Sequence, residues 1–433
     1  MTEIEWVNHA SFIVRSGGTT LMCDPWLFGT AFNDGWELLV PSEHTPDDIA
    51  SVDALWISHV HPDHFAPPVL KAVAKEARRN IHVYFQRTMD QQVAKFCRGI
   101  GYAVTEVADG ETVEVAPGFR LTVGRVPFYD SWAFIETPDA RILNLNDCVL
   151  NRPRDLQRIA DKVGAVDVLL TQFSYANWIG GPQDGAEREK AAAEKLDWMR
   201  TQLRVIKPAA CIPFASFVMF AHSDNWYLND RRNTVEVAAQ VIEDAGVKPV
   251  VLWPSDTWSV GAPHDSTTAM KKYEASWDPG ARQPLTSEVV EWADLEHLAR
   301  ACSKRLTKRN NRMLLRAAAR MGIGAPLVVK LTDLNRTARF DPLRGLTAVE
   351  VPDSEVDVWL GSQSFAYTLK FDWGADTLSV NGRFQASPAG YRKMLRTFGP
   401  SLLNNNGRAL AFRLLADPWL VRRAIDRFLL RAS

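Results

Sequence analysis

The sequence predicts a layered α/β sandwich followed by a smaller α+β domain. Over the first 260 residues, short apolar and β-branched segments alternate with helical ones, as in layered α/β proteins. The chain of 433 residues exceeds the usual size of a single domain. Turn-rich segments at residues 261–266 and 278–280 mark a break. We therefore expect one domain over residues 1–265 and a second over residues 266–433.

Composition and charge exclude several classes of function. Fifty basic and 51 acidic residues leave a net charge of -1, so no global charge favours nucleic acid or an anionic membrane. No apolar run is long enough to predict a transmembrane segment. The five cysteines form no CxxC pair, which is typical of free thiols in a reducing cytoplasm. The sequence therefore predicts a cytoplasmic protein.

The elements of the first domain follow from apolar runs and from helical spacing of charges. The clearest strands are predicted at residues 11–14, 20–22, 54–58, 82–85, 119–126, 132–136, 141–145, 166–171 and 250–253. Helices are predicted at residues 66–79, 186–206 and 234–245.

The second domain begins with a basic helical stretch at residues 288–321, which we interpret as a solvated face or a surface for an acidic partner. Strands are predicted at residues 326–331, 357–360 and 365–371, and helices from residue 389 onward. This order is similar to sterol-carrier-like domains, and an oligomerisation or lid domain is an equal alternative. Residues 419–430 predict an amphipathic helix.

The strongest motif gathers three imidazoles and a carboxylate in six residues. The segment Ser58-His59-Val60-His61-Pro62-Asp63-His64 directly follows a buried apolar run. Residues two apart in extended backbone point the same way, so His59 and His61 are expected to face one point. Pro62 should turn the chain so that Asp63 and His64 face a second point nearby. This HxHxDH pattern predicts two metal ions sharing one turn.

At this motif the chain resembles the metallo-β-lactamase superfamily, over roughly residues 1–260. The resemblance implies an αββα sandwich that holds the metals at one edge of the sheets. Upstream, the segments at His9 and at Asp24-Pro25-Trp26 look like the opening of its lactonase-like and phosphodiesterase-like branches. There the matching Asp supports the site without binding metal. His9 is equally interpreted as a packed histidine.

Three further ligands are predicted from strand ends. The resemblance implies a bridging carboxylate, and Asp147 after the apolar run 143–146 fits it. His222, at the end of another apolar run, is the expected last ligand of the second metal. Hydrolases of this fold supply a third His to the first metal, but His82 lies too early in this chain and Asp130 stands in its place. A carboxylate there favours iron or manganese over zinc, unless Asp130 is only a turn residue.

Scattered motifs over residues 140–260 resemble the catalytic part of CMP-N-acetylneuraminate hydroxylases, and the carboxylate at 130 resembles the di-iron β-hydroxylase of chloramphenicol biosynthesis. No Cys lies two or three residues from a His, so a Rieske cluster is not expected and electrons would come from a separate donor. We therefore predict a di-iron oxygenase of a small molecule, with Asp63 and Asp147 as catalytic carboxylates. The alternative is a di-zinc or di-manganese hydrolase of an ester, lactone or phosphodiester. The predicted metal ligands are His59, His61, Asp63, His64, Asp130, Asp147 and His222.

Overall fold

The computed structural model describes residues 1–126, 130–277, 280 and 282–412. The chain folds into two compact units. Unit 1 comprises Met1–Ile179, Asp184–Ala221 and Trp226–Pro284, and unit 2 comprises Gly180–Gln183, His222–Asn225 and Leu285–Ser433. The division into functional domains at residue 265 stays a prediction. The predicted helix at residues 419–430 lies outside the described residues.

The first sheet of unit 1 has seven strands among the described residues, in the order β16-β1-β2-β3-β5-β6-β7. From β3 to β7 neighbouring strands are parallel, whereas β16, β1, β2 and β3 pair antiparallel. The strands are β1 (Glu3–Asn8), β2 (Ser11–Ser16), β3 (Thr19–Cys23), β5 (Ala54–Ile57), β6 (His82–Gln86), β7 (Ala103–Val107) and β16 (Thr257–Ser259).

The second sheet of unit 1 also has seven strands within the described ranges, in the order β15-β13-β12-β11-β10-β9-β8. Strands β11, β12, β13 and β15 are parallel, and β8, β9, β10 and β11 form an antiparallel meander. The strands are β8 (Glu111–Ala116), β9 (Phe119–Arg125), β10 (Ser131–Glu136), β11 (Arg141–Asn146), β12 (Val168–Gln172), β13 (Ala210–Phe214) and β15 (Lys248–Pro249). A small ribbon pairs β4 (Trp36–Leu38) with β14 (Val218–Phe220).

The two sheets face each other across one hydrophobic core. Trp6 of the first sheet makes an edge contact with Phe214 of the second at 5.7 Å between ring centroids, and Phe12 contacts the same ring at 5.5 Å. Because aliphatic and aromatic residues of both sheets are fully buried in this cluster, the core lies between the sheets. The predicted α/β sandwich class is confirmed.

The helices of unit 1 are α1 (Pro46–Ala50), α2 (Pro67–Ala72), α3 (Lys75–Arg78), α4 (Gln92–Gly99), α5 (Pro153–Val163), α6 (Gly185–Ile206), α7 (Val235–Asp244) and α8 (Thr267–Ser276). Helix α4 packs on the first sheet, and α6 and α7 pack on the second. The long helix α6 closely matches the one predicted at residues 186–206.

Unit 2 is built on a five-stranded sheet, counted over the described residues, in the order β19-β18-β17-β20-β21. Its strands are β17 (Leu327–Leu331), β18 (Arg336–Asp341), β19 (Gly345–Ala348), β20 (Val358–Leu360) and β21 (Gln385–Ala386). Its helices are α9 (Trp292–Arg309), α10 (Arg312–Arg320), α11 (Ser362–Lys370), α12 (Gly374–Asn381), α13 (Pro388–Thr397) and α14 (Gly399–Asn405). These elements form an α+β layer of their own.

Three predicted elements were wrong. The segment 365–371 is helical, because buried Phe365, Ala366 and Leu369 follow helical rather than alternating spacing. The strand predicted at 250–253 is replaced by the two-residue β15, since Pro249 and Pro254 flank the run and proline cannot donate to a ladder. The helix predicted at 66–79 breaks into α2 and α3, where Val73 and Ala74 have ψ angles of 137° and 135°.

Within the described ranges, no helix combines the length and the apolar character needed to cross a membrane. All five cysteines are buried and unpaired. The thiols are also kept protonated, because burial raises the pKa of Cys97 to about 12 and that of Cys302 to about 11.

Candidate metal centre

The candidate site forms where three strands end at one edge of the sandwich. Strands β3 and β5 are parallel neighbours with Cys23 opposite Trp56, so the next residues of both strands leave the same edge. Asp24 follows β3, and its amide donates to Trp56 O at 3.0 Å. On the facing sheet β11 ends at Asn146, which places Asp147 beyond the strand end. Polar side chains therefore converge at the carboxyl ends of buried strands.

A tight turn after β5 divides the motif into two pairs. The amides of His64 and Phe65 donate to His61 O at 3.0 and 2.7 Å, which reverses the chain at Pro62. His59 Nε2 then lies 2.9 Å from His61 Nδ1, whereas Asp63 Oδ2 lies 3.2 Å from His64 Nε2. The turn therefore holds His59 and His61 together as one pair, and Asp63 and His64 together as a second pair.

Asp130 reaches the site from the start of β10. Its carbonyl accepts from the amide of Val126 at 3.0 Å, and the neighbouring Ser131 hydroxyl donates to Ser58 O at 2.6 Å. These bonds tie the beginning of β10 to the motif, so that Asp130 Oδ1 lies 3.9 Å from His59 Nε2. Pro127–Tyr129, which precede Asp130, lie outside the described residues.

Asp147 occupies a position between the two pairs. Its Oδ2 atom lies 3.6 Å from His59 Nε2 and 3.6 Å from His64 Nε2. An oxygen equally distant from one imidazole of each pair has the placement required of a bridging ligand.

The donors form three groups in which the ligand atoms lie within 4.8 Å of one another: His9, Asp63 and His64; His59, His61 and Asp130; and His59, His64 and Asp147. The structure thus brings together six of the predicted ligands and adds His9. The six are His59, His61, Asp63, His64, Asp130 and Asp147. Their role as metal ligands stays a prediction, since proximity alone does not establish coordination.

His9 was not among the predicted ligands, although its surrounding motif was noted. It lies in the tight β1–β2 connection with a φ of 34°, and its Nε2 atom is 3.2 Å from Asp63 Oδ2. The ring is buried, and it meets the Trp26 ring edge-on at 5.7 Å. The signal in the sequence was a single histidine beside a small residue, which fits a packed side chain equally well.

Asp24 organises the site without belonging to any of the three groups. Its Oδ2 atom accepts from His64 Nδ1 at 2.8 Å, from the Ser58 hydroxyl at 2.6 Å and from Asn146 Nδ2 at 3.1 Å. A carboxylate can only accept here, so Nδ1 of His64 carries a proton and Nε2 is the nitrogen that faces Asp63 and Asp147.

The backbone adopts a left-handed conformation at two residues of the site. Asp24 and Asn146 have φ angles of 43° and 56°, which Asp and Asn tolerate better than other non-glycine residues. The bend at Asn146 is stabilised by its backbone amide, which donates to Asn144 Oδ1 at 2.8 Å. Left-handed non-glycine residues are frequent at functional sites.

The chemistry of the donors fits a metal cation. The Oδ1 atoms of Asp63 and Asp147 are buried and have no hydrogen-bond partner in the described part of the chain. Leaving a charged oxygen unsatisfied in the interior is costly, and a bound cation would provide the missing partner. Imidazole and carboxylate side chains are the usual ligands of iron, manganese and zinc.

Electrostatics prepare the donors for a cation. Burial, reinforced by His64 and His61, lowers the pKa of His59 to about 3, so its imidazole is neutral at pH 7 and can act as a ligand. Burial alone would also lower the pKa of His64, but Asp63 and Asp147 raise it above its usual value. In turn, His59 and His64 lower the pKa of Asp147 against the effect of burial. The carboxylates therefore attract positive charge to the centre.

His222 belongs to unit 2, where its ring has several partners. Its Nε2 atom lies 3.0 Å from Ser287 Oγ and 3.0 Å from Arg383 Nη2, and its Nδ1 atom lies 3.1 Å from Asp224 Oδ2. His222 is not part of the three donor groups found among the described residues. Its assignment as the last ligand of the second metal stays a prediction.

Comparison with known proteins gives one family and several distant relatives. Residues 3–171 match the model of the beta-lactamase superfamily domain. The cytidine monophosphate-N-acetylneuraminic acid hydroxylase of Mus musculus is 26% identical over 326 residues, covering 66% of this chain and 54% of the relative. The Danio rerio enzyme of the same name is 28% identical over 257 residues, covering 55% and 42%. The chain thus spans about half the length of the curated relatives it matches.

Among solved structures, the diiron beta-hydroxylase CmlA from Streptomyces venezuelae is 17% identical, with a TM-score of 0.44 over 59% of this chain and 54% of that one. The family match covers β1 to β11 and nearly all of β12, and therefore includes strands of both sheets, the HxHxDH motif and Asp147. Residues 3–171 are thus similar to the beta-lactamase superfamily domain.

Proposed function

We propose that the chain is a di-iron oxygenase that acts on a small molecule. The observation that carries this proposal is the donor set of the first metal position. His59, His61 and Asp130 provide two imidazoles and one carboxylate, the combination typical of non-haem iron oxygenases. A third imidazole, which would favour zinc, is replaced by Asp130.

The second metal position would use Asp63 and His64, with His9 as the neighbouring donor and Asp147 between the two positions. Iron bound there would supply one-electron and oxygen chemistry, which side chains alone cannot provide. The relatives of this chain named above are hydroxylases, which supports an oxidation. An electron donor on a separate protein is part of the proposal, because no Cys of the sequence lies two or three residues from a His, as a Rieske cluster would need.

The residues around the metals have defined tasks. Burial keeps His59 neutral and ready to bind, whereas Asp63 and Asp147 raise the pKa of His64, so a metal would replace the proton on its Nε2 atom while Asp24 holds the proton on Nδ1. His59, His64 and Asp63 are almost fully buried, which limits the access of water to the reacting atoms. Asp147 and Asp63, the predicted catalytic carboxylates, would hold the charge of the metals.

A hydrolase is the second candidate. The family matched by residues 3–171 is named for an enzyme that hydrolyses an amide, which favours a hydrolytic reaction. Zinc or manganese held by these residues would lower the pKa of a water molecule and so supply a nucleophile. The same donors would then activate water towards an ester, lactone or phosphodiester. The replacement of a nitrogen ligand by Asp130 argues for the oxygenase.

Metal analysis of protein expressed with iron, combined with optical spectra after anaerobic reduction and readmission of oxygen, tests the proposal. We expect about two irons per chain and absorption bands that change with oxygen. His61→Gln should lower the iron content and alter the bands. His82→Gln is the matched control, because His82 lies at the opposite end of the first sheet and hydrogen-bonds Thr105 at 2.7 Å. Stoichiometric zinc with a silent spectrum would exclude the oxygenase and favour the hydrolase.

A further inference from the structure

A lysine lies beside the candidate metal centre and forms an ion pair with no carboxylate among the described residues. Lys195 is half-buried on α6, and its ammonium donates to Gln172 Oε1 at 2.6 Å. The same ammonium lies 4.4 Å from the centroid of the Trp198 ring. Its hydrogen-bond partner among the described residues is thus a neutral amide, and its second contact is an aromatic face.

The strand register places this ammonium next to the predicted bridging carboxylate. Strands β11 and β12 are parallel neighbours, with Asn146 opposite Thr171. Asp147 and Gln172 are the next residues of the two strands, so both leave the same edge side by side. Because Gln172 accepts from Lys195, the ammonium is held at the edge where the metal donors meet.

Side-chain hydrogen bonds hold helix α6 over this edge of the sheet, and they therefore also position Lys195 there. Gln202 of the same helix accepts from the Thr171 hydroxyl at 2.6 Å and donates to Leu150 O at 3.0 Å. Leu196 and Met199, which flank Lys195 on the helix, are buried in the core. Helix α6 therefore holds the half-buried Lys195 side chain at this edge, where it can contact a molecule that enters the site.

The balance of charges at the centre indicates that this ammonium would bind an anion. Two divalent cations would balance the four carboxylates at the centre, leaving Lys195 as a surplus positive charge. The four carboxylates belong to Asp24, Asp63, Asp130 and Asp147. Burial lowers the pKa of Lys195 to about 8 while Asp147 and Asp130 oppose the decrease, so the side chain is mostly charged at pH 7.

We propose that Lys195, held by Gln172, binds an anionic group of the substrate, a carboxylate or a phosphate, beside the metal ions. The inference rests on the proposed function, because the surplus charge exists only when metals neutralise the carboxylates. It assigns the substrate to the class of small organic anions. A purely structural lysine would instead neutralise Asp147 and Asp130, and would lose that role once metal is bound.

Isothermal titration of the manganese-loaded protein with inorganic phosphate, and separately with acetate, tests this subsite. We expect Lys195→Met to weaken binding of the preferred anion by about 10- to 100-fold, and Lys195→Arg to retain most of it. Lys190→Met is the matched control, because Lys190 is exposed on the same helix. Gln172→Glu keeps the lysine but places a carboxylate against it, and should weaken the anion in the same way. Whichever anion binds more tightly identifies the group that the substrate carries.

Metal content, measured on every variant, separates the two proposals. If the wild-type protein holds no metal, the proposed function fails and the subsite fails with it. If metal is retained but the wild-type protein binds neither anion, or Lys195→Met binds them as tightly as Lys190→Met does, only the subsite is wrong. Normal metal content with anion binding lost in Lys195→Met and kept in Lys195→Arg supports it.

Discussion

At the scale of single residues, Asp24 connects the fold to the chemistry. Its two carboxylate oxygens accept from the amide and hydroxyl of Ser58, from His64 and from Asn146, so it joins both sheets at the site. Every one of these contacts needs an acceptor. Asparagine has the same shape but also carries an NH2 donor, so replacing Asp24 with it tests how much these accepted hydrogen bonds and the negative charge contribute.

Asp24→Asn should lower metal affinity by about 10- to 100-fold while the backbone stays in place. Asparagine tolerates the φ of 43°, but its NH2 group would face donors and His64 would lose its fixed tautomer. Metal titration followed by chelator competition measures the effect, with the exposed Asp47→Asn as the control. Equal metal affinity in the two variants would show that Asp24 is only structural.

Asp130→His should shift metal preference from iron towards zinc by several-fold, because it restores a third nitrogen donor next to His59 and His61. The ratio of the two metals in protein grown with both measures the change. Asp197→His on the exposed face of α6 adds the same imidazole away from the site. An unchanged ratio in both variants would mean that Asp130 does not bind the first metal.

Residues close together in the sequence were easier to predict than those that approach through the fold. The motif from His59 to His64 and the strand-terminal Asp147 carry their geometry in local spacing. His9 meets Asp63 across 54 positions of the chain, a separation that local spacing does not encode. The link between Lys195 and Gln172 likewise depends on how α6 crosses the sheet, and no local pattern of residues predicts it.

At the scale of elements, the antiparallel pair β9–β10 carries Asp130 and depends on one close approach. Gly124 of β9 lies opposite Trp132 of β10, whose indole ring covers the glycine. A Cβ atom at Gly124 would lie 2.0 Å from Trp132 Cε2, so no larger residue fits without moving the ring. The ring itself is buried, and a shift would propagate to the start of β10.

Gly124→Ala should therefore lower the free energy of unfolding of unit 1 by about 1–3 kcal/mol through overpacking. Urea denaturation followed by tryptophan fluorescence measures the loss. Gly99→Ala is the matched control, since Gly99 lies in α4 with open space around its Cα, and it should be neutral or stabilising by up to about 1 kcal/mol. Equal stability of the two variants would contradict the packing argument.

Several strands with strong apolar runs were predicted within a few residues, although the apolar run 250–253 is not a strand and the buried strand β13 was not predicted. Strands β5, β10, β11 and β12 are buried along most of their length and gave clear signals. Strands β7 and β8 are half-exposed and rich in Thr and Glu, so no apolar run marked them. Residues 365–371 mix aromatic and small side chains, so their local pattern does not distinguish a strand from a helix. Tertiary packing determines that they form a helix.

At the scale of the whole molecule, the candidate metal donors belong to unit 1. Unit 2 has its own sheet and its own ion pairs, in which Arg305 and Arg309 both bind the buried Asp372. Because each unit has a separate core, each is expected to unfold in a transition of its own. A ligand that binds one unit stabilises that unit alone, unless the other unit contributes to the same site.

Removing metal with a chelator should therefore lower one calorimetric transition and leave the other unchanged. At a metal concentration of about 100 times Kd, binding stabilises the native state by about 2.7 kcal/mol, which corresponds to a decrease of roughly 5–10 °C in the Tm of unit 1 after chelation. His222→Gln tests the remaining predicted ligand, because His222 belongs to unit 2. If His222 binds the second metal, chelation will lower both transitions in the wild-type protein and only one in the variant. If the two proteins respond alike, with only the unit 1 transition moving, the second metal is held by His9, Asp63 and His64 without His222.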